Sequence, residues 1–160
     1  MAAITLLCMG KLKERFYLDA AKEYLKRLGG FGAVTLLELP ECRLPDNPSG
    51  QEILAGLKKE AALVREKLPK GCWLCVFTPE GAALTSEELA KTMQAAALGG
   101  KSQLCFFIGS SYGIDEQLKA QANIQVSMSK MTFPHHLARV MVLEQLYRAQ
   151  SILAGSKYHK

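Results

Sequence analysis

Leu104-Cys105-Phe106-Phe107-Ile108-Gly109-Ser110-Ser111-Tyr112-Gly113-Ile114-Asp115 runs from an unbroken apolar stretch, through a loop of small residues, into a helical pattern. Five consecutive apolar residues without polar alternation predict a strand covered on both faces, as in a parallel sheet between two helical layers. Gly109 and Gly113 let the backbone approach a ligand closely. The helix start that follows adds N–H donors, and ligands of α/β sheets bind at the carboxyl ends of strands. The spacing G-x-x-x-G is weak by itself, and an ordinary strand-to-helix turn reads the same way.

Outward from this stretch the pattern repeats. Apolar runs at 4–9, 33–39, 72–77 and 124–128 have strand length, and the first three, like 104–108, are almost continuously apolar. Between and after them lie helical patterns at 14–28, 51–68, 86–98, 115–122 and 134–153. The order βαβαβαβαβα predicts an α/β fold, a parallel-type sheet flanked by helices in a single domain over 1–160. Ser49-x-x-Glu52 and Thr85-x-x-Glu88 have the form of capping boxes. Gly29-Gly30, Gly99-Gly100 and Gly155 follow helix ends, where a left-handed residue is often needed, and Pro134 suits a first helical turn. The stretch 40–50, with Pro45, Asp46, Asn47 and Pro48, is the longest loop.

The composition, 49% apolar and 22% charged, is that of a folded chain, and disorder is not expected. No apolar run approaches a membrane span. The first ten residues show neither a basic n-region nor a cleavage site, so the cytoplasm is the expected compartment and no membrane partner is expected. The net charge of +5 is unevenly spread: residues 1–116 hold 14 Lys/Arg and 14 Asp/Glu, whereas 117–160 hold six Lys/Arg against Glu144 alone. That excess suits a polyanion, and equally a solvated surface. The five cysteines, 8, 42, 72, 75 and 105, read as reduced core residues. Cys72-x-x-Cys75 has redox spacing, but residues i and i+3 of a strand point to opposite faces, and no further pair completes a zinc site, so no metal is expected.

A second candidate segment is Ser127-Met128-Ser129-Lys130-Met131-Thr132-Phe133-Pro134-His135-His136. A strand end passing through small polar residues into a helix offers backbone groups to a heterocycle, with Met131 and Phe133 as apolar walls, unless those two are plugged into the core. His135 and His136 are adjacent and should diverge. The last helix is apolar nearly all round, and a second subunit is its simplest cover. Arg139 and Arg148, nine positions apart, fall on opposite sides of it, and Glu144 can pair with Arg148. The end, Lys157-Tyr158-His159-Lys160, joins cations to an aromatic ring, a composition common in RNA contacts and also in frayed ends.

Phe107-Ile108-Gly109-x-Ser111-Tyr112-Gly113, Ser129-Lys130-Met131-Thr132-Phe133-Pro134-His135, Arg139-Val140, Leu143-Glu144-Gln145-x-Tyr147-Arg148-Ala149 and Tyr158-His159-Lys160 together resemble the bacterial ribosomal RNA large subunit methyltransferase H family. Gly10-Lys11-Leu12-Lys13-Glu14 and Glu23-Tyr24-x-Lys26-Arg27-Leu28 extend the likeness along the chain. The resemblance implies a SPOUT-like fold with a C-terminal trefoil knot, and a homodimer. It implies S-adenosyl-L-methionine-dependent methylation of N3 of a pseudouridine in 23S ribosomal RNA, on assembled ribosomes. By position it implies a cofactor pocket of Phe77, Gly109, Met128, Ser129, Lys130, Met131, Thr132 and Phe133. It implies His159, Arg139 and Arg148 as catalytic groups, with His159 taking the N3 proton and an arginine steadying the anion. His135, Lys157, Tyr158 and Lys160 would face RNA. Phe77 stands where such proteins often have Leu, and Ser110 where they often have a second Gly, which adds a hydroxymethyl group near the cofactor. Rival readings are a ribose 2′-O RNA methyltransferase, a flavodoxin-like nucleotide-binding module and a non-catalytic RNA-binding module.

Overall fold

The computed structural model describes residues 2–160. In chain order the elements are β1 (Ala3–Met9), α1 (Arg15–Gly29), β2 (Val34–Leu39), α2 (Gly50–Lys67), β3 (Trp73–Ala83), α3 (Ser86–Leu98), β4 (Gln103–Ile108), α4 (Glu116–Gln121), β5 (Ile124–Ser127) and α5 (His135–Leu153). Every strand pair is parallel, in the order β2-β1-β4-β3-β5.

The unbroken apolar runs are explained by two cores, one on each face of this sheet. Leu104, Phe106 and Ile108 of β4 join Leu6, Cys75, Leu143 and Leu146 beneath α1, α3 and α5. The alternate residues Cys105 and Phe107 join Leu7, Val76, Val64 and Leu118 beneath α2 and α4. Phe106 and Phe107 are 0% and 2% exposed, so neighbouring side chains each bury a ring worth about 2–3 kcal/mol on opposite sides. The cysteines divide the same way. Cys75 lies in the first core and Cys72 packs against the second, beside Cys105, so the C-x-x-C pair does not meet. Burial pushes the Cys8, Cys75 and Cys105 thiols up to about 12, which keeps them protonated.

Helix boundaries follow the local chemistry. Both capping boxes form, with Ser49 accepting from the Glu52 N–H and Thr85 from the Glu88 N–H, each at 3.1 Å. Gly100 and Gly155 take the left-handed conformation, but Gly29-Gly30 does not: Gly29 ends α1 and Gly30 is right-handed at φ −68°. Pro134 is the residue before α5 rather than its first turn.

The largest departure from the sequence expectation is β3, which does not end at Phe77. Its pairing with β5 breaks after Phe77↔Val126, residues 78–81 bulge outward, and pairing resumes at Ala82↔Val126 and Ala83↔Ser127. The bulge is braced by a Thr78–Glu80 hydrogen bond and by Lys119, whose Nζ lies 3.6 Å from Glu80 and 2.7 Å from Glu116. Gly81 closes it, lying against the β5 backbone so tightly that a Cβ there would sit 2.6 Å from main-chain atoms of Gln125 and Val126. Main chain cannot yield as a side chain does. Gly81→Ala is therefore expected to destabilise the protein by about 2 kcal/mol or more in urea unfolding, whereas the same change at exposed Gly50, where a Cβ meets nothing, leaves the midpoint within error.

Candidate cofactor cleft and C-terminal cluster

The carboxyl ends of β3, β4 and β5 open into one cleft of about 620 Å³. Phe77 and Thr78 form one wall, residues 108–111 with Gly113 and Ile114 a second, and residues 127–135 a third. All eight residues expected at a cofactor, Phe77, Gly109, Met128, Ser129, Lys130, Met131, Thr132 and Phe133, line it, as does His135. Met131 is 67% exposed at this cleft, which rules out the alternative that it fills the core.

Each wall is held by its own bonds. Gly113 N–H donates to the Ser110 carbonyl at 2.9 Å, closing the 109–113 loop into a tight turn. Ser127 Oγ donates to the Ser129 carbonyl at 3.1 Å, and Ser129 Oγ accepts the Met131 N–H at 3.0 Å. The amide end of α4 is not free for a ligand, contrary to expectation: the Asp115 carboxylate accepts the Leu118 N–H at 3.1 Å and lies 3.5 Å from Arg65. The site is made instead by loop backbone and apolar side chains.

Arg139 and Arg148 do lie on different sides of α5. Arg139 is 1% exposed and does not line the cleft. Its Nη1 meets Glu38 Oε2 at 2.7 Å, and its Nη2 donates to the carbonyls of Met9 and Gly10 at 3.1 and 3.0 Å. Arg148 belongs to the C-terminal cluster. Its Nε donates to Glu144 Oε1 at 2.9 Å, its Nη1 lies 3.2 Å from His159 Nδ1, and its guanidinium carbon stands 4.8 Å from the centre of the Tyr158 ring. Tyr158 donates its hydroxyl to Glu144 at 3.1 Å and packs edge-on to Tyr147, while His159 Nε2 meets Glu87 at 2.7 Å. The tail is thus docked rather than frayed, with Lys157 and Lys160 exposed. Burial and Glu144 push the Tyr158 phenol up, and Glu144 raises Arg148, so both stay protonated.

His135 and His136 do not diverge: their rings meet edge-to-face at 4.2 Å, with His135 3.2 Å from Glu41 and His136 3.7 Å from Glu14. Burial, then His135 and Arg139, lower His136. Among the described residues no group of three or more His, Cys, Asp or Glu is placed to hold a metal ion, and no helix is long and apolar enough to cross a membrane. Sequence reasoning missed Glu60, which is 5% exposed beside the 109–113 loop. Its signal was its place among Leu57, Ala61 and Val64 on one helix face.

The family model described as "Predicted SPOUT methyltransferase" matches residues 2–159, which makes this parallel sheet with its strand-end cleft a SPOUT methyltransferase. The fold agrees with solved structures at 13% identity. One is the tRNA (m1G37) methyltransferase of Aquifex aeolicus, with a TM-score of 0.56 over 99% of this chain and 73% of that one. Another is a probable methylase family protein of Haemophilus influenzae, at 0.54 over 99% and 71%. The chain is also 40% identical to ribosomal RNA large subunit methyltransferase H of Acetivibrio thermocellus, over 98% of this chain and 99% of the relative. It is 40% identical to the Desulforamulus reducens protein of the same name over 100% of both. It belongs to the ribosomal RNA large subunit methyltransferase H family.

Gly109 tests whether the cleft loop is as tight as it looks. A Cβ there would lie 2.5 Å from the Gly113 carbonyl oxygen and 2.6 Å from Ile114 Cγ1. Gly109→Ala is expected to cost about 1–3 kcal/mol in ligand-free thermal unfolding, with exposed Ser111→Ala as a silent control.

Proposed function

We propose that this chain transfers a methyl group from S-adenosylmethionine to N3 of a pseudouridine in 23S ribosomal RNA, working as a homodimer on assembled ribosomes in the cytoplasm. The observation that carries this reading is the convergence of Phe77, Gly109 and residues 128–133 on one cleft, in a chain 40% identical along its length to large subunit methyltransferase H. The cleft fits such a cofactor. Phe77, Ile108, Met128 and Phe133 offer apolar walls, and the loop at Gly109, having no room even for a Cβ, brings backbone to the surface of the cleft. S-adenosylmethionine, when bound, supplies an electrophilic methyl on a positively charged sulfur. The protein's part is to align the acceptor and exclude water, which suits a loss of charge in the transition state.

The acceptor nitrogen must lose a proton. In the C-terminal cluster the Glu87 carboxylate can only accept, so His159 Nε2 carries the hydrogen and Nδ1 holds a lone pair, facing Arg148. On RNA binding, Arg148 turns from His159 toward the imide, Nδ1 takes the N3 proton, and the guanidinium steadies the anion that this leaves. Arg139 acts at a distance by fixing α5. The tail does not line the cofactor cleft of its own chain. Between them lies a groove of about 510 Å³, lined in part by Tyr24, Leu84, Val140, Met141 and Glu144, which a second copy of the chain covers in the proposed dimer.

Calorimetry is expected to show S-adenosylmethionine binding, and mass mapping of treated ribosomes to place one methyl on the base of a pseudouridine. A methyl on ribose would establish the 2′-O reading instead, and no binding at millimolar cofactor would remove the enzyme. Deleting residues 157–160 is expected to leave cofactor affinity within about two-fold while abolishing transfer to ribosomes. The deletion should also flatten the salt dependence of ribosome binding, since Lys157 and Lys160 each release roughly one counterion per phosphate contact. Transfer at the wild-type rate would move the RNA contacts away from the tail.

A further inference from the structure

Glu60 is a carboxylate that the fold could do without. It lies on the face of α2 that carries Leu57, Ala61 and Val64 into the core, it is 5% exposed, and no salt bridge reaches it among the described residues. A buried carboxylate without a cation is costly unless its oxygens are bonded, and an apolar side chain would serve stability better. Its two bonds both go to loops. Oε2 accepts the Cys42 N–H at 3.0 Å, and Oε1 accepts the Ser110 hydroxyl at 2.9 Å. Burial pushes the carboxyl up, and the two donors oppose that shift.

Ser110 stands between two spaces. It lines the cofactor cleft on one side and, on the other, a cavity of about 200 Å³ shared with Glu60, Cys42 and Tyr112. Its carbonyl closes the 109–113 turn, so its orientation sets that of the whole loop. We propose that Glu60 is a positioning residue for methyl transfer, tethering the 109–113 loop to α2 through the Ser110 hydroxyl so that this wall of the cleft keeps its place against the cofactor. Through Cys42 the same carboxylate ties the 40–49 loop to the cleft wall. Without the bond, the loop loses its only side-chain tether among the described hydrogen bonds, and the cleft wall is no longer held where the cofactor meets it.

This inference rests on the cleft taking S-adenosylmethionine, so its test has one arm that needs the cofactor and one that does not. Ser110→Ala is expected to raise the S-adenosylmethionine Kd and KM about ten-fold, to leave kcat at saturating cofactor within two-fold, and to leave the ligand-free Tm nearly unchanged. Ser110→Thr, which keeps the hydroxyl, restores binding. Glu60→Ala and the double variant Glu60→Ala/Ser110→Ala should bind alike, because the second change removes nothing further. Should the Glu60 variants not fold, the two Ser110 variants decide. In the second arm, hydrogen exchange without cofactor should be about ten-fold faster at the Gly113 amide in Ser110→Ala than in the wild type. Wild-type Kd in Ser110→Ala, or failure of Ser110→Thr to rescue, overturns the proposal. Unchanged exchange at Gly113 overturns it even if the wild type binds no cofactor, and that last result alone would count against the methyltransferase reading.

Discussion

The last helix is held to the sheet by a charge taken out of water. Arg139 sits at 1% exposure under the carboxyl ends of β1 and β2, where Glu38 neutralises it and two carbonyls of β1 and its following turn occupy the remaining Nη2 protons. Glu38 Oε2 also accepts the Leu12 N–H at 3.1 Å, so one ion pair fixes the strand ends, the turn into α1 and the first turns of α5 together. Its Nε proton has no partner. Such an arrangement is a poor source of stability compared with apolar packing, but it has one permitted geometry, and slippage of α5 along the sheet would strand a buried charge. Because α5 begins at His135 and carries Ala138 into the cleft wall, that register is also the register of the site.

The cleft shares this reliance on bracing from behind. The bulge at 78–81 is tied by Lys119 through Glu80, the 109–113 loop by Glu60 through Ser110, the 127–131 turn by its own serines, and His135 by Glu41. Ordering three loops around a ligand is expensive when binding must do it. Here the bracing bonds are made within the protein itself, so the contact energy of a bound molecule is available for affinity and alignment rather than for folding the walls.

Much of this architecture was legible as pattern. Alternating runs of strand and helix length gave the element order, because a doubly covered strand has no polar positions to confuse it, and the capping boxes marked two helix starts from four residues each. Two walls of the cleft were legible as separate candidate segments, but that they meet, and meet Phe77, was legible only through resemblance: Phe77, Gly109 and Met128 lie far apart in the chain, and no periodicity brings strand ends together. What stayed hidden depends on partners distant in sequence. Thr78-Pro79-Glu80-Gly81 reads as a turn, and nothing local reveals that Gly81 lies on the backbone of Val126. Glu60 draws no reading from the sequence, and Arg139 receives a catalytic role through resemblance, although each sits in an apolar stripe, at the spacing that marks the core. A charged residue in register with Leu57, Ala61 and Val64, or with Val142, Leu143 and Leu146, is the signal that was available.

The strand order has a bearing on how the chain comes off the machinery that makes it. β4 lies in the middle of the sheet, yet part of the cover on one of its faces comes from α5, which follows all five strands in the chain. Until α5 has emerged, Leu6, Cys75 and Phe106 lack the part of their roof that Val142, Leu143 and Leu146 supply beside α1 and α3. A nascent or prematurely ended chain is therefore an apolar sheet face in search of cover, a substrate for chaperones and proteases rather than a partial enzyme. Because Arg139 and α5 follow every strand of the sheet in the chain, the register of the cleft is set only once all five strands have been made.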